Sequence, residues 1–185
     1  MIRWSRLITV LLALVVVAAL TSALYSIISL REASERASSA WHDLEAVYQS
    51  RVAMMPDLIS ALETAGRAGE MSGERLRTAQ ERVEASALTA GEWKDAARLA
   101  EYEAAELALG DVLDRLMASS TLYAELSKAN DGVWAQLLLS ITYRVRLARS
   151  HYNDAVSSYN AVLHSLPETL YAEMLGYRTR AALRS

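Results

Sequence analysis

The chain has 185 residues, with 19 basic and 22 acidic side chains, a formal net charge of -3 at neutral pH, and neither cysteine nor phenylalanine. That length holds one membrane-crossing segment and one folded domain of ordinary size, about 100 to 200 residues. The interspersed charges offer no basic block for a phosphate backbone, which excludes nucleic acid as a partner, and the absent cysteines exclude disulfides, thiolate metal sites and cysteine nucleophiles.

With only 7 Gly and 2 Pro, the composition favours helix and starves turns, so almost no strand is expected. Between Arg6 and Arg31 no residue is charged, and the run of Leu, Val, Ile and Ala is long enough to cross a bilayer core, which takes roughly 20 helical residues. The competing reading is a cleaved secretory signal, for which Thr21-Ser22-Ala23 offers a small-residue site. Leu24, Tyr25, Ile27, Ile28 and Leu30 prolong the apolar run where a mature terminus should turn polar, so the expectation is an uncleaved transmembrane helix over residues 7–30 behind a short flank of residues 1–6. Arg3 and Arg6 precede the helix, while Arg31 and Arg36 follow it beside Glu32 and Glu35. The slight basic bias places the N-terminus inside and the remaining domain, residues 31–185, outside the cytoplasm. Ala19 and Ala23 form a small-residue pair of the kind found at close helix contacts, a motif common by chance.

From Ala33 onward, Trp41, Leu44, Tyr48, Met55, Leu58, Leu62 and Ala65 recur in steps of three and four with one gap, at Arg51. Pro56 is expected to kink that helix at Met54 or Met55. Gly66, Gly69 and Gly73 then predict a turn, followed by a shorter helix to about Ser86. Thr89 and Glu92 form a capping-box pattern ahead of Trp93, opening a third helix to about Met117. A longer seam follows: Trp134, Leu138, Ile141, Val145, Ala148, Tyr152, Val156, Tyr159 and Leu163, with Asn130 or Asp131 as its cap. Pro167 interrupts that helix and restarts a short one. The predicted fold is all-α: a transmembrane helix followed by an elongated antiparallel bundle of three to four helices, with the first helix able to run unbroken out of the membrane.

An always-charged Arg51 on an apolar seam needs partners or water. It either forms a buried site for an anionic ligand or a partner carboxylate, or, as we favour, bonds within the bundle to Asn153, Asp154, Asn160 or a helix end and fixes register. Tyr152-Asn153 and Tyr159-Asn160 lie seven residues apart and share a face, with the rings expected in the seam and the amides on a neighbouring helix. His151 has no second ligand at metal-binding spacing, and neither it nor His42 suggests a metal. Glu101, Glu103, Glu106, Asp111 and Asp114 read as a solvated acidic helix face rather than a di-metal carboxylate site. No catalytic arrangement, phosphate loop, metal site or cofactor site is visible, so a non-enzymatic protein without cofactors is expected.

The run Leu147-Ala148-Arg149-Ser150-His151-Tyr152-Asn153-Asp154-Ala155-Val156-Ser157-Ser158-Tyr159-Asn160 resembles the signature of the bacterial LemA family, an alanine-arginine pair followed by Tyr-Asn-Asp-Ala-Val and a second Tyr-Asn. Pro167, the Leu175-Gly176-Tyr177 tail, Ala40-Trp41, Arg51 with Met55-Pro56-Asp57-Leu58-Ile59, and Tyr25 to Arg31 extend the likeness across nearly the whole chain. Residues 66–120 carry it only by length and helical character. Ser26 stands where the family has Asn, Thr142 where it has Glu, which removes one partner for Arg144 or Arg51, and Tyr123-Ala124-Glu125-Leu126 lacks the family's proline.

The resemblance implies a membrane-anchored helical bundle of the bacterial inner membrane. Some relatives are associated with envelope stress or membrane organisation, and some sit beside a membrane zinc protease; no activity or ligand carries over. Arg51, Pro56, Arg149, Tyr152, Asn153, Asp154, Tyr159 and Asn160 are the candidate structural or interaction residues. The expected partners are the lipid bilayer and other envelope proteins, with homo-oligomers among the outcomes. The alternative is a self-associating module acting on the lipid surface through a basic amphipathic helix over residues 171–183, where Leu170, Met174, Leu175, Tyr177 and Leu183 oppose Arg178, Arg180 and Arg184.

Overall fold

A computed structural model describes residues 2–64, 67–128 and 132–184. Among the described residues there is no strand. The elements are α1 (Ile2–Ala53), α2 (Met55–Glu63), α3 (Arg67–Ala85), a 3-10 turn (Glu92–Lys94), α4 (Ala96–Ala118), α5 (Ser120–Lys128), α6 (Val133–Leu163) and α7 (Glu168–Ala172).

α1 carries the apolar run, and its most apolar stretch has a mean hydropathy of 2.7 with none of it buried. By length and composition it is able to span a membrane. Large apolar side chains from Leu7 to Ile28 stay exposed, whereas Leu30 is fully buried. α1 stops at Ala53 because Pro56 has no amide hydrogen for the carbonyl four residues back. Met54 makes the turn, its N–H donating to the Arg51 carbonyl at 3.3 Å, and the proline sits in the first turn of α2, where the missing donor costs nothing.

The chain forms two compact units. In Met1–Ser39 with Asp154–Arg180, Leu30, Ala33 and Ala37 of α1 pack with Tyr159 and Leu163 of α6 and Ala172 of α7. The second unit is Ala40–Asn153 with Ala181–Ser185. Its centre is aromatic: Trp41 stacks on Trp93 with centroids 5.6 Å apart, and Tyr152 and Tyr102 meet Trp41 edge-on at 5.6 and 6.3 Å. Around it, Leu44, Tyr48, Met55, Leu58 and Leu62 are all buried, as the first seam requires, and Leu138, Ile141, Val145 and Tyr152 are buried from the second. Ala65, the last position of the first seam, lies outside the described residues.

Three local expectations need correction. The glycines do not form one long turn, since α3 runs through Gly69 and Gly73. A Cβ at Gly73 would lie 3.7 Å from Ile59 Cγ2, so this face packs directly on α2, and that contact outweighs the low helix propensity of glycine. The cap of α4 is Asp95, not Thr89: its carboxylate accepts from the N–H groups of Ala97 and Arg98 at 2.9 and 3.0 Å. Thr89 does donate its N–H to Glu92 at 2.7 Å, but that closes only the 3-10 turn. α5 was not anticipated; extended backbone at Ser119 (ψ 102°) separates it from α4. Asn130 and Asp131, the expected caps of α6, lie outside the described residues.

Candidate functional site

Arg51 is 4% exposed and forms an ion pair with Glu106 of α4. Its Nη2 also donates to the Glu106 carbonyl at 3.2 Å, and the guanidinium lies 5.3 Å over the Tyr48 ring. Burial pulls the Arg51 pKa below its ordinary value, an effect that the facing hydroxyls of Tyr48 and Tyr102 oppose. Burial likewise pushes both tyrosines upward, against the pull of the neighbouring arginines. Tyr102 donates to the Glu106 carboxylate at 2.9 Å, which closes the cluster.

Arg51 is therefore bonded within the chain, to Glu106 rather than to Asn153, Asp154, Asn160 or a helix C-terminus. Glu103 and Glu106 are 6% and 2% exposed, so they are not part of a solvated face, although Glu101, Asp111 and Asp114 are exposed as expected. The signal was present in the spacing: along α4, Leu99, Tyr102, Leu109, Leu113 and Leu116 form the buried seam, and Glu106 fills its gap as Arg51 fills the gap in α1. Two opposite charges each interrupting an apolar seam belong opposite one another, because either alone would be a buried unpaired charge.

Arg149 supplies the second cross-link of the same unit. Its guanidinium donates to Tyr48 Oη and to Glu103 Oε1, each at 3.0 Å, and to the Arg184 carbonyl. Glu103 also accepts the Arg184 N–H. Beside Arg51 a cleft of about 300 Å³ carries Arg51, Arg146 and Arg149 against Glu106, Asp111 and Asp114 on its walls, a balanced set of charges that selects neither anion nor cation.

The Tyr-Asn repeat does not bond a neighbouring helix. It holds the non-helical segment that follows α7. Tyr152 Oη donates to the Ala181 carbonyl at 3.0 Å, while Asn153 donates to the Leu183 carbonyl at 3.0 Å and accepts the Leu183 N–H at 2.8 Å. In the other unit, Tyr159 Oη donates to the Arg178 carbonyl at 2.8 Å, and Asn160 takes both the carbonyl and the N–H of Arg180, at 2.9 and 3.0 Å. Each asparagine thus reads both polar groups of one residue, as a neighbouring strand would. Arg180 lies 4.4 Å over the Tyr159 ring and donates to Ser34 through both terminal nitrogens. Burial raises the Tyr159 pKa, against the effect of Arg180.

This arrangement overturns the amphipathic helix expected over residues 171–183. α7 ends at Ala172, and Leu183 and Arg180 are buried at 5% and 7% exposure rather than displayed to a bilayer. Gly176 (φ +75°) stops the helical turn in a Schellman cap: Tyr177 N–H reaches the Ala172 carbonyl at 3.0 Å, and Gly176 N–H reaches Glu173 at 3.2 Å. The Leu175-Gly176 pair was the legible signal for it. Of the remaining candidates, Pro56 sits at the α1–α2 break, and Asp154 is exposed with no side-chain hydrogen bond or ion pair among the described residues. His151 is exposed too.

No curated protein and no solved structure matches the chain. Among protein families, the LemA family matches residues 40–184, which takes in the buried ion pairs and both Tyr-Asn pairs, and the chain belongs to that family.

Proposed function

We propose that the protein is a non-enzymatic, single-pass interaction protein of the bacterial inner membrane. Its folded part lies on the extracytoplasmic side and engages other envelope proteins, in envelope stress or alongside a membrane protease. The observation that carries this reading is an unpartnered apolar stripe on α6: Leu139, Tyr143 and Leu147, spaced i, i+4, i+8, are 55%, 64% and 43% exposed. Arg51, Glu106, Arg149 and Glu103 are committed to internal cross-links, which leaves these four no part in turnover.

In-cell crosslinking of the tagged full-length chain, followed by detergent extraction and mass spectrometry, tests this. A specific envelope protein should be captured by the unaltered chain, and lost from both an anchor-only control and a Leu139→Glu/Tyr143→Glu/Leu147→Glu variant. Capture that the variant leaves unchanged would overturn the assignment of the stripe.

A second reading, action on the lipid surface, keeps one support after the loss of its amphipathic helix: Leu166, Leu170 and Met174 are 77%, 65% and 84% exposed. Crosslinks confined to the chain itself and to lipid would favour it.

A further inference from the structure

The end of α6 meets α1 where α1 leaves its apolar run. Arg180 donates to Ser34 and lies over the Tyr159 ring, which sets Tyr159 beside Ser34. Leu30, one turn nearer the span, is buried in one cluster with Leu163 and Ala172. α6 therefore runs toward the bilayer as α1 runs away from it, and the corner between α6 and α7 is carried to the last turns of the span. Burial continues into the apolar run itself. Ser26 is fully buried and Ser22 and Ala23 are partly buried, whereas Leu24 and Ile28 on other faces of the same turns stay exposed. A bare helix does not cover its own side chains in this way, as the exposed residues from Leu7 to Val17 show, so folded chain lies against α1 at Ser26.

The sequence sets the level of that contact. Leu30 is the last residue before Arg31, which places the edge of the apolar core near Leu30. Ser26 lies about 6 Å further in along the helix axis, a depth at which amphipathic segments rest between headgroups and acyl chains. The corner is surfaced for that position. Leu166, Leu170 and Met174 are all exposed, and from Ser165 to Ala172 the one charged residue, Glu168, is buried and accepts from the Ser165 hydroxyl at 3.0 Å. His164 and Glu173, both exposed, bound this uncharged stretch and belong at headgroup level.

We propose that the α6–α7 corner is a second membrane contact, with Leu166, Leu170 and Met174 inserted among the lipids of the leaflet that holds the C-terminal end of the span. The occupant of this apolar surface is the bilayer, because the anchor packed beside it fixes its level. This contact rests on α1 crossing the membrane, and it gives the lipid-surface reading a defined site. It is independent of the Leu139–Tyr143–Leu147 stripe.

The chain has no cysteine, so a single cysteine placed at an exposed position is labelled alone. Leu166→Cys, Leu170→Cys and Met174→Cys, each carrying an NBD fluorophore on the full-length chain, are reconstituted in vesicles of phosphatidylethanolamine and phosphatidylglycerol. Val15→Cys serves as a reference inside the span, and Ser39→Cys as one about 14 Å beyond Leu30 along α1. Quenching is read with lipids that carry a nitroxide near the top or near the tail of the acyl chain. The upper nitroxide should quench the three corner labels roughly threefold more than the label at Ser39, with blue-shifted emission, while the lower one quenches Val15. Each labelled chain should keep the helical circular dichroism of the unaltered protein; Leu175→Cys, also exposed, replaces any that does not. Corner labels that match Ser39 while Val15 is quenched would overturn the contact and leave the anchor standing. No quenching at Val15 would overturn the anchor and the contact with it. Blue-shifted but unquenched corner labels would show that protein covers the corner, and would overturn the contact alone.

Discussion

Tyr152-Asn153 and Tyr159-Asn160 perform the same act in different surroundings. In each pair the tyrosine gives its hydroxyl to one carbonyl, and the asparagine takes both main-chain groups of the residue two positions further on. Around Asn153 the support is ionic, from Arg149 and Glu103, with Leu183 as an apolar anchor. Around Asn160 it is a cation over a ring, Arg180 on Tyr159, with Ser34 as acceptor. The common element is therefore the asparagine amide, the side chain that presents a donor and an acceptor together as a peptide group does.

The largest effect should come from the Arg51–Glu106 pair, the other buried ionic cross-link in the unit that holds Asn153. Glu106→Ala leaves a buried guanidinium without its carboxylate and should cost about 3–5 kcal/mol, lowering the melting temperature by on the order of 10 °C in calorimetry of the detergent-solubilised chain. The double variant Arg51→Met/Glu106→Leu should recover most of that loss, because it removes both charges together. No recovery would place the role of the pair elsewhere than mutual neutralisation.

The asparagines come next. Asn153→Ala and Asn160→Ala should each cost about 1–3 kcal/mol, since each strands a main-chain donor and acceptor. Near-equal losses in urea denaturation would support a shared device, whereas a loss at only one would show that the ionic or the cation-ring support governs instead. Tyr152→Phe and Tyr159→Phe remove one hydroxyl each and should cost about 1 kcal/mol apiece. The smallest change belongs to Arg77→Ala, which breaks surface pairs to Glu63 and Glu74 and should fall within about 1 kcal/mol by the same denaturation measurement.

Alkaline pH probes the aromatic centre. Burial raises the pKa of Tyr48 and Tyr102 in the folded state above the ordinary value of about 10, so their stabilising contribution is complete below about pH 10. It is lost as pH climbs toward their folded values. Tyrosinate absorbance from these two should appear together with loss of helical circular dichroism rather than before it.

Much of the fold was legible because apolar periodicity is a local signal: the seams through Trp41 and Tyr152, the apolar run of α1 and the break at Pro56 all follow from spacing. The sign of Arg51 was also legible, in that a charge on a seam demanded a partner. Its partner was not, because Glu106 lay in an acidic run whose exposed members, Glu101, Asp111 and Asp114, disguised the two that face inward. The segment after α7 departs from its expected helix for a related reason. Its alternation of Arg with Leu and Ala satisfies a helical pattern, while the main-chain grip of Asn153 and Asn160, and the stop at Gly176, depend on residues distant in sequence or on one backbone angle.

Hydrogen exchange with mass spectrometry on the full-length chain tests the central claim most directly. The amides of Leu183 and Arg184 should be protected in the unaltered protein, lose that protection in Asn153→Ala, and keep it in Asn160→Ala. Exchange of these amides at the rate of a free peptide in the unaltered protein would contradict the claim that the Tyr-Asn repeat holds this segment by its backbone.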